Sequence, residues 1–428
     1  MTTPAVGANL TALGQFETTW GTRATGNYLT FRAYSFSGFA GSQPLATEPL
    51  LGAGREPSTP YLQPFDVAPS AVVPVDFRLF PYHLKSLLGA SQSAVQVGSR
   101  GYIEFTAQPT AAQYITINGQ NWTFRASGAT GPETNIAGSL QATIDALVTD
   151  LNASVDSDIT PMTYSRLGNR LIIQHDTASS AGDTVAISAG TTTARASKAT
   201  LYGGGQYRHE FRSGTTSLLP SMTFEIDSPA LAGGNRYLIT EGVTWGSCEI
   251  NMTRSEPPRA TFNGRAETAA LEASSIGGTA TVPTVELFSS FESQLLINDI
   301  AADQVWAARL NYDNGLLVNE LLTDNGLIGG ILPGQIALNV EVSARFADHL
   351  LHQQQAAGNT VTMRFGYLDK TSGTEVVFVL EKLHLPKPAI DFATSGFTDV
   401  VYGTFGDKGT SPARSMTVYV YNDVASYA

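Results

Sequence analysis

The strongest constraint on this chain is a unit that occurs twice. From Val73 to Ala90 it reads V-P-V-D-F-R-L-F-P-Y-H-L-K-S-L-L-G-A. Val73, Val75, Phe77 and Leu79 alternate with other residues, the period of a half-buried strand. Pro81 suits a first helical turn, where its missing N–H would lack a partner anyway. Leu84, Leu87 and Leu88 fall on one helical face, and Gly89 can end the helix in a left-handed conformation. The second half repeats this order. Ile336, Leu338, Val340 and Val342 alternate, F-A-D-H-L-L-H from Phe346 reads as a short helix, and Gly358 lies beyond it. The recurrence predicts a duplicated, mainly β chain.

A length of 428 residues allows two or three domains. Only 14% of residues are charged and 41 are glycine, so much of the surface must be Thr, Ser, Gln and Asn. That composition fits β-rich assembly proteins and adhesins and excludes a charge-rich disordered chain. A net charge of −12 opposes any grip on nucleic acid through its phosphates. The single cysteine, Cys248, allows neither an intramolecular disulfide nor a cysteine zinc cluster. The first residues lack the basic and apolar regions of a secretory signal, and no run approaches the ~20 apolar residues of a membrane span. The expectation is a soluble protein made in a cytoplasm.

Residues 1–27 read as an extended arm. The connection from Gly38 to Val72 holds Pro44, Pro49, Pro57, Pro60, Pro64 and Pro69 and is too long for an ordinary loop. Its Leu45, Leu50, Leu51, Tyr61, Leu62 and Phe65 would be wasteful in solvent and are expected at a subunit or ring interface. Gly315–Gly334 holds the same place in the second half, with Leu321, Leu322, Leu327 and Ile331 in the same role. Residues 101–205 read as a separate module. Tyr114 to Phe124 form a hairpin turning at Asn118-Gly119. Ile136, Leu140, Ile144, Leu147 and Leu151 lie at helical spacing, and strands follow near 162–166, 171–174 and 185–188. The expected organisation is a first domain of 1–100 and 206–283, an inserted ββα-β accessory module of 101–205, and a second domain of 284–428.

Catalytic constellations are missing. Of six histidines only His349 and His352 are close, at i,i+3, with no third ligand suggested, so a helix carrying polar histidines is the weightier reading. His209-Glu210 lacks the following His of a zinc motif. Gly203-Gly-Gly205 precedes a strand and not a helix, so it is no phosphate cradle. No G-x-S-x-G occurs, and Cys248 lies in a strand pattern without a nearby His. The chain is expected to be no enzyme and to have no catalytic, cofactor or metal site.

Four segments carry a resemblance. They are Phe16-Glu-Thr-Thr-Trp-Gly-Thr22, the unit from Val75 to Gly89, His209-Glu-Phe-Arg with Leu219-Pro-Ser-Met-Thr-Phe-Glu225, and Tyr237-Leu-Ile-Thr-Glu-Gly-Val-Thr-Trp245. In this order, over 16–100 and 206–425, the chain resembles the major tail tube proteins of long, non-contractile-tailed bacteriophages (siphophages). The resemblance implies two tandem tail-tube-type β-sandwich/barrel domains, each with a short flanking helix. Six such domains per ring would close an inner β-barrel around a DNA lumen, and rings would stack into a tube for genome ejection. Two domains per chain would make the ring a trimer with pseudo-sixfold symmetry; a hexamer with one tube domain and one decorative domain per chain is the other arrangement. The module at 101–205 lies outside the resemblance and is expected on the tube exterior. The implied partners are copies of the chain itself, the tape measure protein and viral DNA in the lumen without sequence-specific binding, and the tail terminator and distal tail proteins, with no membrane. The implied location is the virion, after synthesis in the host cytoplasm. An acidic chain fits a lumen lined by Asp, Glu, Ser, Thr and Asn with few unpaired Lys or Arg. The rival reading is another tail or baseplate component, or an adhesin binding a surface glycan.

Overall fold

The computed structural model of the chain describes residues 7–48, 51, 55–92, 94–215, 217–229, 234–253, 256–289, 293–302, 304–321, 325–345, 350–387, 398–409 and 413–427. It is mainly β. The chain opens with β1 (Thr11–Phe16), β2 (Leu29–Phe31), β3 (Ser35–Ser37), β4 (Leu45–Ala46), β5 (Tyr61–Leu62), β6 (Ser70–Pro74), α1 (Phe80–Leu88) and β7 (Ala94–Gln96). Next come β8 (Arg100–Phe105), β9 (Tyr114–Ile117), β10 (Gln120–Arg125), β11 (Glu133–Asn135), α2 (Leu140–Asn152), β12 (Met162–Leu167), β13 (Arg170–His175), β14 (Ile187–Ser188) and β15 (Ala194–Ala196). The first half resumes with β16 (Tyr207–Arg212), β17 (Met222–Asp227), β18 (Tyr237–Thr253), β19 (Arg259–Arg265) and β20 (Thr268–Glu272). The second half holds β21 (Ser293–Ile297), β22 (Ile300–Ala301), β23 (Val305–Asp313), β24 (Leu317–Val318), β25 (Ile331–Leu332), β26 (Ala337–Arg345), α3 (Leu350–Ala356), β27 (Thr360–Leu368), β28 (Glu375–His384), β29 (Asp399–Gly406) and β30 (Thr417–Asn422).

The antiparallel pairings of the first half recur in the second. β1 pairs with β2 and β17, β17 with β18, and β18 with β20. Correspondingly, β21 pairs with β22 and β27, β27 with β28, and β28 with β30. On the other layer, the run β3–β6–β19–β18 is matched by β23–β26–β29–β28. The hairpin β4–β5 between β3 and β6 is matched by β24–β25 between β23 and β26. The two layers of each half enclose one hydrophobic core that runs through both halves and includes Phe31, Phe80, Phe224, Trp245, Phe262, Tyr312, Val340, Phe365 and Phe378.

One strand belongs to both layers. β18 is 17 residues long; residues 237–241 pair with β20, residues 244–251 with β19 and residues 247–253 with β23. The sequence reads as two strands here, Asn235–Trp245 and Cys248–Thr253. Instead Gly242 takes φ +76° where the strand passes between layers, and a side chain on Gly246 would lie 2.6 Å from Leu316. The glycines bend the strand and admit a neighbour without ending it.

The repeated unit begins earlier than its alternation suggested. β6 stops at Pro74, and Asp76 turns the chain into α1. The Asp76 carboxylate is buried and accepts the N–H groups of Arg78 and Leu79, both at 2.7 Å, and of Phe80 at 3.2 Å. The last two are donors that a helix start leaves without intrahelical partners. Burial nevertheless outweighs the three N–H groups and pushes the carboxyl up to about 6. Pro81 lies in the first turn, and Gly89 takes φ +93° with its N–H on the Lys85 carbonyl, as the sequence indicated. Asp76→Ala is expected to lower unfolding free energy by about 3 kcal/mol, because buried donors lose a charged acceptor. Asp76→Asn, which keeps one acceptor oxygen, should lose less. Denaturant unfolding is the measurement, and an alanine variant as stable as the parent would remove the capping role.

Residues 103–201 have a hydrophobic cluster of their own, with Ile103, Phe105, Ile115, Trp122, Phe124, Ile144, Leu147, Leu171 and Ile173. It lies among two small sheets, β11–β10–β9–β14 and β12–β13–β8–β15, and α2. The β9–β10 turn has positive φ at Asn118 and Gly119, as read from the sequence. Chain entry and exit lie side by side: Val97 N–H donates to Gln206 O and Gly205 N–H to Val97 O, each at 2.8 Å.

Candidate functional site: a polar sheet face and two apolar hairpins

The two matching runs join inside the chain. The free edge of β18 pairs with β23 from Ser247 opposite Asp313 to Thr253 opposite Ala307. The result is one curved series, β3–β6–β19–β18–β23–β26–β29–β28. Its register places Ser35, Val72, Thr261, Glu249, Asn311, Asn339, Phe405 and His384 in a single cross-strand row. A neighbouring row holds Ser37, Ser70, Asn263, Ser247, Asp313 and Ala337, and another holds Asn251, Arg309, Glu341 and Gly403. The alternate residues, such as Leu338, Val340 and Val342 on β26, point into the core. One face is therefore packed and the other mostly polar, with Val401 and Phe405 of β29 exposed among its polar residues.

Charge on the polar face is balanced by pairing. β3, β6, β19, β18, β23, β26 and β29 contain no lysine, and Lys382 on β28 pairs with Asp407 at 2.7 Å. Arg309 reaches Glu249 at 2.6 Å and Glu341 at 3.9 Å. This hydrogen-bonded guanidinium holds the Glu249 carboxyl below its usual range. Arg265 meets Asp66 at 2.8 Å, and the Arg259 guanidinium lies 4.2 Å from the Tyr34 ring centre. Such a wall offers a polyanion few fixed cations to hold it. Cys248 points the other way into the core, and burial pushes its thiol far up, so it is inert.

The two hairpins project from this sheet. On β4–β5 the side chains of Leu45, Tyr61 and Leu62 are exposed, as is Leu51 beyond β4. Phe65 is half-buried and packs against the main core under Gly41. On the second hairpin Leu321 is exposed, Leu327 half-buried and Ile331 buried. Leu50 and Leu322 lie outside the described residues. The pattern missed Leu317 and Leu332, exposed and directly opposite each other on β24 and β25; two-residue strands have no period to detect. The second hairpin's base rests on the first half's helix. Asn314 Nδ2 donates to the Leu87 carbonyl at 2.7 Å. A cavity of about 460 Å³ lined by Leu87, Leu88, Leu219, Leu332 and Ile336 lies beside that contact.

The profile of a family described as phage tail tube protein matches residues 7–400. The chain belongs to the phage tail tube protein family. No curated protein matches it. Tail tube proteins are structural components of the virion, and the family implies self-assembly into a tube with other tail proteins. The mainly β fold with large antiparallel sheets agrees with the fold the resemblance implied. Among the described residues of this tail tube protein no three His, Cys, Asp or Glu residues cluster to hold a metal, and no helix is long and apolar enough to cross a membrane. His349 and the side chain of His352 lie outside the described residues. His209 is buried and pairs through Nε2 with the Val424 carbonyl at 2.7 Å, a packing contact.

Proposed function

We propose that three copies of this tail tube protein close into a ring of six similar units, and that stacked rings form the conduit for DNA ejection in a siphophage tail. One observation carries the reading. The β18–β23 junction joins two sheet runs of matching topology within one chain, as a ring contact would join two subunits. Among the described residues β3 pairs only with β6, so one end of the series is an open edge. Closing a series of strands on itself removes such edges, which otherwise invite uncontrolled pairing. The polar face then lines the lumen, where paired arginines and Ser, Thr and Asn side chains leave no deep wells for phosphates.

In this reading the two tube domains are 1–100 with 206–283, and 284–428. The module at 101–205 lies on the exterior, because it packs against β21 and β28 in the layer away from the polar face. Arg170 Nη1 donates to Gln294 Oε1 at 3.0 Å, and Arg100 pairs with Glu375 at 3.0 Å. The apolar hairpins make contacts between subunits and rings. The first does so between chains, as the second already rests on α1 within the chain. Tape measure protein, terminator and distal tail proteins complete the partners; the chain is made in the host cytoplasm and has no catalytic role and no cofactor.

Electron microscopy of the purified protein is expected to show hollow rods or stacked rings. Removing residues 45–62 joins Pro44 to Gln63, which already bonds to it at 2.8 Å. That variant should keep its circular dichroism spectrum and lose polymerisation. Discrete particles from the intact chain would remove the tube reading; long rods from the deletion variant would remove the hairpin's role.

A further inference from the structure

Where the β12–β13–β8–β15 sheet faces β21, β27, β28, β30 and β16, the two surfaces enclose a cavity of about 360 Å³. Arg100 and Arg170 line it from one side and Arg208 and Arg364 from the other. Four guanidinium groups in one cavity are not background in a chain of net charge −12. Three have carboxylate partners: Arg170 with Glu104 at 3.0 Å, Arg364 with Asp299 at 2.7 Å, and Arg100 with Glu375 at 3.0 Å. Arg208 has none among the described residues, and its Nε is buried with no hydrogen-bond acceptor. Nη1 of Arg100 is buried and unpartnered as well.

The sheet register brings these two groups together. Arg208 on β16 is directly opposite Tyr421 on β30, and Tyr421 is opposite Glu375 on β28. The Arg100 guanidinium lies 3.5 Å from the centre of the Tyr421 ring. The orphaned donors therefore belong to residues that both adjoin Tyr421 at the cavity wall, and the Arg208 guanidinium lies 5.9 Å from the centre of the Tyr419 ring, which lines the same wall. Buried donors without acceptors are costly, most of all when charged, and folded proteins seldom leave them so. Planar guanidinium forks match the oxygens of an oxyanion, and such charge-assisted bonds are the strong ones.

We infer that this cavity is a binding site for a small oxyanion of the phosphate class, held between Arg100 and Arg208 beside Tyr421. The bound ion ties residues 100–202 to the second half of the chain. The inference does not depend on ring stoichiometry or on which face lines a lumen.

The test is a titration of the full chain with inorganic phosphate at constant ionic strength, read by calorimetry and by the thermal midpoint. Phosphate is expected to bind saturably and raise the midpoint with the logarithm of its concentration above Kd. Sulfate should compete. Arg208→Gln and, from the opposite wall, Arg100→Gln should each weaken binding at least tenfold. Arg265→Gln, which breaks an ion pair on the polar face, should leave it unchanged. A midpoint that rises without saturation, and equally in Arg208→Gln, would be the general exclusion effect of these salts and would overturn the site. So would a calorimetric titration of the parent protein with no heat of binding and no midpoint shift.

Discussion

Replacing both Ser35 and His384 by cysteine is expected to yield, after mild oxidation of assembled tubes, closed covalent rings of three chains. The row that crosses the polar face gives the reason. Ser35, Val72, Thr261 and Glu249 from the first half are followed by Asn311, Asn339, Phe405 and His384 from the second. Ser35 stands to β6 as Asn311 stands to β26, and His384 stands to β29 as Glu249 stands to β19. The contact within the chain is Glu249 opposite Asn311. A ring of like contacts therefore sets His384 of one chain opposite Ser35 of the next, which takes the place that Thr360, the first residue of β27, holds beside His384 in the single chain. Directly opposed residues in antiparallel strands have Cα atoms about 4.5–5.5 Å apart, within the span of a disulfide. Cys248 is buried and does not compete. Non-reducing electrophoresis should give a trimer band that disappears with reductant. A ladder ending at six chains would show that one tube domain per chain builds the ring. Assembled tubes without cross-links would show that this edge pairing is wrong.

Replacing His83 by phenylalanine is expected to remove one of two opposing acid-induced changes in stability. His83 projects from α1 into the core, stacked on Phe262 with ring centres 5.0 Å apart and near Phe31 and Trp245. Its Nδ1 has no partner among the described residues. Burial pushes its pKa down from 6.5 to about 3. The unfolded chain therefore takes up a proton near pH 6.5 while the folded one stays neutral to about pH 3. The contribution of neutral His83 is complete above pH 6.5 and is lost as pH falls toward 3. Between pH 7 and pH 4 the loss is on the order of 3 kcal/mol. Asp76 acts in the opposite sense. Its pKa is raised to about 6, so the folded state binds its proton first and gains stability as pH falls from 6 to 4. The two nearly cancel in that window, so the parent's curve conceals both. Urea unfolding of parent and variant at pH 7 and pH 4 separates them. The variant should lose less, or gain, on acidification; parallel curves would show that His83 is not neutral in the core.

Local patterning was legible and long-range joining was not. Alternation along Leu338, Val340 and Val342, the helical spacing of Ile144, Leu147 and Leu151, and the Asn118-Gly119 turn all have short-range causes and stand as read. Asp76 was missed as a cap, because a carboxylate caps a helix from inside the core only once the strand before it has ended at Pro74. The single strand β18 was read as two, because a glycine that bends a strand and one that breaks it look alike in a sequence. The β18–β23 junction has no local signature at all, since antiparallel edges pair through backbone groups common to every residue. The hairpins could be recognised as apolar connections, but Leu317 and Leu332 gain their significance only from facing each other.

The two hydrogen bonds at Val97 have a consequence for how such chains diversify. A segment that departs and returns through adjoining strand ends imposes no strain on what it departs from, whatever its size. Residues 98–205 thus occupy an exchangeable cassette. Another folded unit with neighbouring termini can take its place while Ala94–Gln96 stays in register with Tyr207–His209. The two-layered sheets and the segment they carry can then evolve, or be engineered, on separate schedules.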